Sequence, residues 1–533
     1  MAENIGESRK ISLQKSAERL TEEIQSMANY KNLYTEIQKL VASTAVKRED
    51  FKNTLLEVLK NNGLETEIRN TVFHWVRSQG SLSAVSEAST EEVDLTYLKK
   101  AQIQWERRIQ KSLNSTCNEL NVPLARIRPN ADREEVAEKW NELSTYDIDL
   151  SQYRPLYAPK DFLDVLFSIR NPSFKKQPNE LNWEFGHIQI RVKTLTQLVL
   201  HRHLYVDLTK GMSLLGVNPD MPSSENFTNL EEERIYISEK VLKSNHAPIA
   251  QEFLKRGAPR ALRGRLWSLV LGSTVKQNDL EYYEELKNMV LQYDIVIDKL
   301  IIKDVQLTAR NDDQYFVFED VLYKTMLCFS RDSEVLAPVT TDRSAGGQVI
   351  HAVLQGKPAT LENTLVFPPS GVIPFHGFTM YATPFCYLYD DPCAMYYTFR
   401  AFYLRYWFRL HTVSSHEQGI VALCLLFERL LQCHEPLLWI HCRNIHIQPV
   451  KIVFKWIMRG FSGHLPPEQL LYLWDLILGY DSLEIIPLLA VTILSFRKEN
   501  LMQVNNQQSV EAVLADLSSL KVVPLLQLAL LRE

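Results

Sequence analysis

The chain has 533 residues, 45% hydrophobic and 23% charged, with a formal net charge of −5. This composition fits a folded protein of two or three domains, not a disordered one, and argues against a nucleic-acid binder that gains affinity from phosphates. Seven cysteines without Cys-x-x-Cys spacing argue against a disulfide framework or a zinc ribbon and favour a reducing, cytoplasmic setting.

In chain order, Ser12–Glu67 carries apolar residues at helical spacing, as at Leu33, Ile37, Leu40 and Val41. A Ser-rich stretch, Ser78–Thr90, reads as a surface linker. Helical periodicity resumes over Leu95–Leu120, with Trp105, Ile109 and Leu113 on one face, and a loop follows at Arg126–Asn130. Asp161–Ile169 predicts a short helix stopped by Asn171-Pro172. Alternation of Ile188, Ile190 and Val192 with polar residues predicts the one short strand of the N-terminal half. Gly216–Glu233, with Pro219, Pro222 and a run of glutamates, reads as the domain boundary.

Beyond it helices dominate: Ala261–Leu271, Leu280–Lys303, Phe318–Phe329, Pro392–Leu410, Gly419–Gln432, Gln448–Gly460, Pro467–Leu478 and Leu483–Arg497, with terminal helices at Glu511–Leu520 and Val523–Leu531. The most apolar of these, Ile485–Phe496, is about a dozen residues, whereas a bilayer span takes roughly 20. No transmembrane segment is expected, and the polar stretch after Met1 has no secretory character. The expectation is an all-α chain: a mostly helical N-terminal region over 1–215 with a linker near 78–92, a linker over 216–245, a helical domain over 246–505 with a long insertion near 330–372, and C-terminal helices over 506–533. Residues Ser330–Val372 are too long and too rich in Gly, Pro, Ser and Thr for an ordinary connection.

Several chemical signals are weak. His434, His441, Cys442 and His446 cluster in sequence but lack zinc-site spacing. Gly356-Lys357-Pro358 lacks the upstream glycine and the Ser or Thr of a phosphate loop. The aromatic run Tyr396–Phe408, interleaved with arginines, reads as a core helix with a basic rim, not a nucleic-acid platform. No metal or cofactor is expected. Trp267, Trp456 and Trp474 read as core residues, and Arg263 as a candidate partner for Asp475 or another buried acid.

Three blocks in order carry a resemblance. Gly257-Ala258-Pro259 leads to Leu262-Arg263 and Trp267; Ile301-Ile302-Lys303-Asp304-Val305-Gln306-Leu307 follows; and Phe454-Lys455-Trp456 precedes Leu473-Trp474-Asp475-Leu476. This pattern resembles TBC-domain Rab GTPase-activating proteins. The resemblance implies a helical TBC domain and, as partner, a Rab GTPase in its GTP form, with membrane association only through that partner. It also implies two catalytic fingers, an arginine closing Ile-x-x-Asp-x-x-Arg and a glutamine in Tyr-x-Gln-Gly. Here Leu307 stands at the arginine position, and Pro374-Phe375-His376-Gly377 puts His376 at the glutamine position beside the matching Gly377. Asp304 matches the family aspartate, and Arg310 lies one helical step beyond Leu307 as a candidate displaced finger. Two functions follow as expectations: a GTPase activator with both fingers altered, or a Rab-binding or scaffold module without catalysis.

Overall fold

The computed structural model describes residues 21–22, 25, 30–42, 48–61, 63–83, 95–145, 149–172, 174, 185, 187–188, 190–200, 230–310, 315–336, 350–353 and 364–530. These are helical almost throughout, with two small antiparallel pairs, Ala125–Ile127 with Tyr293–Ile295 and Ile350–Val353 with Thr364–Phe367. Among the described residues no helix is long and apolar enough to cross a membrane.

In the C-terminal half, Ile420–His434 lies against Ile485–Phe496 and Pro449–Met458, and Ala247–Leu254 lies against Arg263–Leu271 and Pro467–Tyr480. Start and stop signals are local. Asp391 caps Pro392–Arg405 by accepting the amides of Cys393 and Ala394 at 3.3 and 3.0 Å, with Pro392 at the first helical position, where a missing N–H is harmless. Trp267, Trp407 and Trp474, none of them solvent-exposed, meet Phe385 and Phe402 at the centre of this half.

The expected single helix over Leu280–Lys303 is two helices, Gln277–Gln292 and Val296–Arg310, broken by the strand Tyr293–Ile295. The break comes from pairing with Ala125–Ile127, reinforced by Arg126 Nε donating to Asp294 at 2.7 Å and by Arg331 Nη2 donating to Asp298 at 2.7 Å. A buried carboxylate needs such partners, and helical spacing alone does not reveal them. The strand expected at Ile188–Val192 is not formed among its described residues, since Ile188 and Ile190 are buried singly without a ladder partner. Among the described residues the short N-terminal strand is Ala125–Ile127 instead. Ser78 does not end its helix, which runs over Leu64–Ser83. Residues 84–94, 201–229, 337–349 and 354–363, which hold parts of the expected linkers and insertion, lie outside the described residues, and the second half of the linker expected over 216–245 is the helix Leu230–Ser244.

The N-terminal helices pack directly on the C-terminal half. Within Thr96–Leu120, Gln102 accepts the Val413 amide at 2.6 Å, and Trp105, Ile109 and Leu113 join the common core. Arg77, on Leu64–Ser83, reaches Asp481 at 3.4 Å, and Asn70 accepts the Ala247 amide at 2.9 Å.

Candidate functional site

The helix Val296–Arg310 buries Ile297, Leu300, Ile301, Asp304, Val305 and Thr308 along one stripe. Asp304 is therefore a carboxylate in an apolar stripe, 2% exposed. It is satisfied entirely by the loop after Pro374: the Gly377 amide donates to Oδ1 at 2.6 Å, and the Thr379 amide and Oγ1 donate to Oδ2 at 2.8 and 2.7 Å. Burial pushes the Asp304 carboxyl up, while these donors pull the other way. Leu307, one step further along the helix, is partly exposed beside the stripe. Arg310 is the last residue of the helix, and its side chain lies outside the described set.

The loop carrying His376 is held at each polar position. The His376 amide donates to the Tyr157 carbonyl at 2.9 Å, and the His376 carbonyl accepts from Arg459 Nη2 at 3.0 Å. Gly377 has φ of +90°, and a Cβ there would collide with the Arg459 guanidinium. Both facts require glycine. Phe375, 1% exposed, is seated against Phe378 and Tyr381 at 5.6 and 5.8 Å between ring centres. The His376 ring is left with its side chain 43% exposed and Nδ1 at 4.0 Å from Asp304 Oδ1, beyond hydrogen-bond reach. The loop therefore presents an imidazole on a backbone held by one carboxylate and one guanidinium, while Leu307 stands on the helix that carries that carboxylate.

Arg459, Tyr157 and Thr379 are the residues that sequence reasoning passed over. An arginine directly after the apolar run Trp456-Ile457-Met458 is the one available signal. Burial lowers the Arg459 pKa, and Asp304 partly offsets this.

A second buried cluster braces the fold away from this loop. Asp475, with no exposed surface, accepts from the Ala258 amide at 2.8 Å, from Trp267 Nε1 at 2.6 Å and from Arg263 Nε at 3.0 Å. Arg263 in turn donates to the Ala258 carbonyl at 2.8 Å. Trp474 Nε1 donates to the Gly460 carbonyl at 3.0 Å, and Trp456 stacks on Phe461 at 5.5 Å. Burial pushes the Asp475 carboxyl up against the pull of Arg263. Asp475 thus ties Arg263–Leu271 to Pro467–Tyr480, and Arg263, Trp267, Trp456, Trp474 and Asp475 all lie inside the core.

A family profile described as the Rab-GTPase-TBC domain matches residues 375–502. The human protein TBC1 domain family member 19 is 44% identical over 508 residues, covering 94% of this chain and 95% of that protein. Two solved structures also align. A Chlamydomonas flagellar RabGAP TBC domain gives a TM-score of 0.41 at 12% identity, covering 66% of this chain and 100% of that one. The Ypt/Rab-GAP domain of Gyp1p gives 0.40 at 13%, covering 57% and 98%. With identity at this level along nearly its whole length, the chain belongs to the TBC domain family.

Proposed function

We propose that this protein is a regulator of Rab-family GTPases that engages the GTP-bound form across the face carrying Leu307 and His376, with conventional stimulation of hydrolysis weak or absent. The observation that carries the reading is the pair of side chains at the finger positions. Hydrolysis requires neutralisation of charge spreading over the γ-phosphate oxygens and a positioned water, and an arginine supplied in trans is worth ~10³–10⁵ in rate. Leu307 offers no donor at all, and no other side chain copies the planar guanidinium fork. His376 can accept or donate one hydrogen bond, on a shorter stem than glutamine.

The loop that would carry the second finger is nonetheless held in one geometry by Asp304 and Arg459. A firmly held loop with other side chains at the finger positions favours binding over catalysis, and a Rab-binding or scaffold module is its limit of zero activity. Any membrane association would come through the Rab. No cofactor has a role in this scheme.

Single-turnover GTP hydrolysis over a Rab panel, with binding measured in parallel on a non-hydrolysable GTP analogue, tests the proposal. The expected result is selective binding of one GTP-loaded Rab, little acceleration, and no change on Leu307→Ala. Leu307→Arg with His376→Gln is expected to raise the rate on the bound Rab. Strong wild-type acceleration abolished by Arg310→Ala or by His376→Ala would overturn the proposal, as would the absence of any Rab binding.

A further inference from the structure

The first half of Thr96–Leu120 and the residues about the C-terminal end of Pro159–Ser168 line an open cavity of about 510 Å³ whose residues have no part in the proposed function. Its volume falls in the range of small-molecule sites, ~300–1,000 Å³. Lys100, Arg108 and Arg170 line it, and among the described residues no carboxylate does, in a chain whose net charge is −5. Three cations gathered on one cavity, against the overall balance of the chain, create a local positive potential.

The apolar wall is Trp105 with Val165 and Ile169. Trp105 is 3% exposed, and its indole N–H has no acceptor among the described residues. A buried donor without an acceptor is unusual and costly. The Arg108 guanidinium lies 5.9 Å from the centre of the same ring, so a cation and an unspent donor are close together. Arg170 is fixed by donating Nη1 to the carbonyls of Phe167 and Ile169 at 2.5 and 2.9 Å, which leaves the rest of its donor fork for an anion.

We propose that this cavity is a binding site for a small organic phosphate, whose apolar body rests on Trp105, Val165 and Ile169 and whose anionic group meets Lys100, Arg108 and Arg170. Cations on both walls of the cavity, Lys100 and Arg108 on one and Arg170 on the other, suit a molecule with more than one phosphate, because each added charge finds a separate partner. The same chemistry occurs on a free sugar phosphate and on a phosphorylated lipid headgroup.

Titration calorimetry of the full chain with inositol 1,4,5-trisphosphate at low salt is the test, alongside flotation with phosphatidylcholine vesicles containing phosphatidylinositol 4,5-bisphosphate. Lys100→Glu with Arg108→Glu, both exposed positions, is expected to weaken binding about tenfold or more. Trp105→Phe, which keeps the ring and removes the donor, is expected to weaken it by a smaller factor. Lys60→Glu, an exposed charge reversal elsewhere, is expected to change nothing. Binding of the trisphosphate without vesicle capture assigns the site to a free molecule, and capture lost in the double variant assigns it to a headgroup. No binding of either probe, or an equal loss on Lys60→Glu and on the double reversal, overturns the proposal.

Discussion

Asp304→Asn is the sharpest perturbation of the site, because one carboxylate meets three donors from one loop. An asparagine is nearly isosteric but has a single acceptor oxygen. If that oxygen keeps Thr379, the new NH₂ faces the Gly377 amide, which loses a 2.6 Å bond and gains a like-polarity contact. Hydrogen bonds to charged groups are worth about 1.5–3 kcal/mol each. Arg459 also loses the charge that offsets its own burial. Against this, a neutral side chain escapes the desolvation that raises the Asp304 pKa. The net expectation is a loss of about 2–4 kcal/mol. Guanidinium unfolding should report it in the midpoint, and native-state hydrogen exchange should show faster exchange at Gly377 and Thr379. Thr379→Val, which removes only the Oγ1 donor to the carboxylate, should cost about 1.5–3 kcal/mol. A midpoint within about 0.5 kcal/mol of wild type, with both amides still protected, would refute the carboxylate as the holder of the loop.

Trp474→Ala and Trp456→Ala should each destabilise by ~3–5 kcal/mol, since the rings are 0% and 4% exposed; a wild-type melt for either would show that its ring does not support the core. Acid should destabilise the fold early. Burial, aided by neighbouring cations, lowers His74 and His464 to about 4 and His416 to about 3. Each is protonated in the unfolded chain below about 6.5 but stays neutral in the folded one, so its contribution is full above that pH and is lost as pH falls towards the folded value. Melting temperature should therefore drop between pH 6.5 and 4, and a flat profile over that window would contradict the burial of these rings.

The all-helical class was legible because its helices bury regular stripes, as Ile297, Ile301, Val305 and Thr308 do on theirs. What stayed hidden depends on partners far along the chain. The break at Tyr293–Ile295 is made by a strand at Ala125–Ile127, more than one hundred and fifty residues upstream, and the intervening sequence still reads as helix. Asp304 was legible as a motif position, yet its three donors follow from the loop geometry that places Gly377 at φ +90°. Arg459 was barely legible for a related reason: its contact with the His376 carbonyl spans 83 positions, and the apolar run before it hints at burial without naming a partner.

The Tyr157 carbonyl that receives the His376 amide belongs to the segment leading into Pro159–Ser168, and its ring lies 4.9 Å from Trp105. The usual way to map a binding face is to shorten the chain from its N-terminus until binding fails. Here that procedure would mislead. Removing Thr96–Leu120 and Tyr157 strips a backbone acceptor from beneath His376 and leaves the Val413 amide without Gln102. A shortened protein that no longer binds its partner would thus say nothing about where the partner sat. Point substitutions in the full-length chain keep the two questions apart.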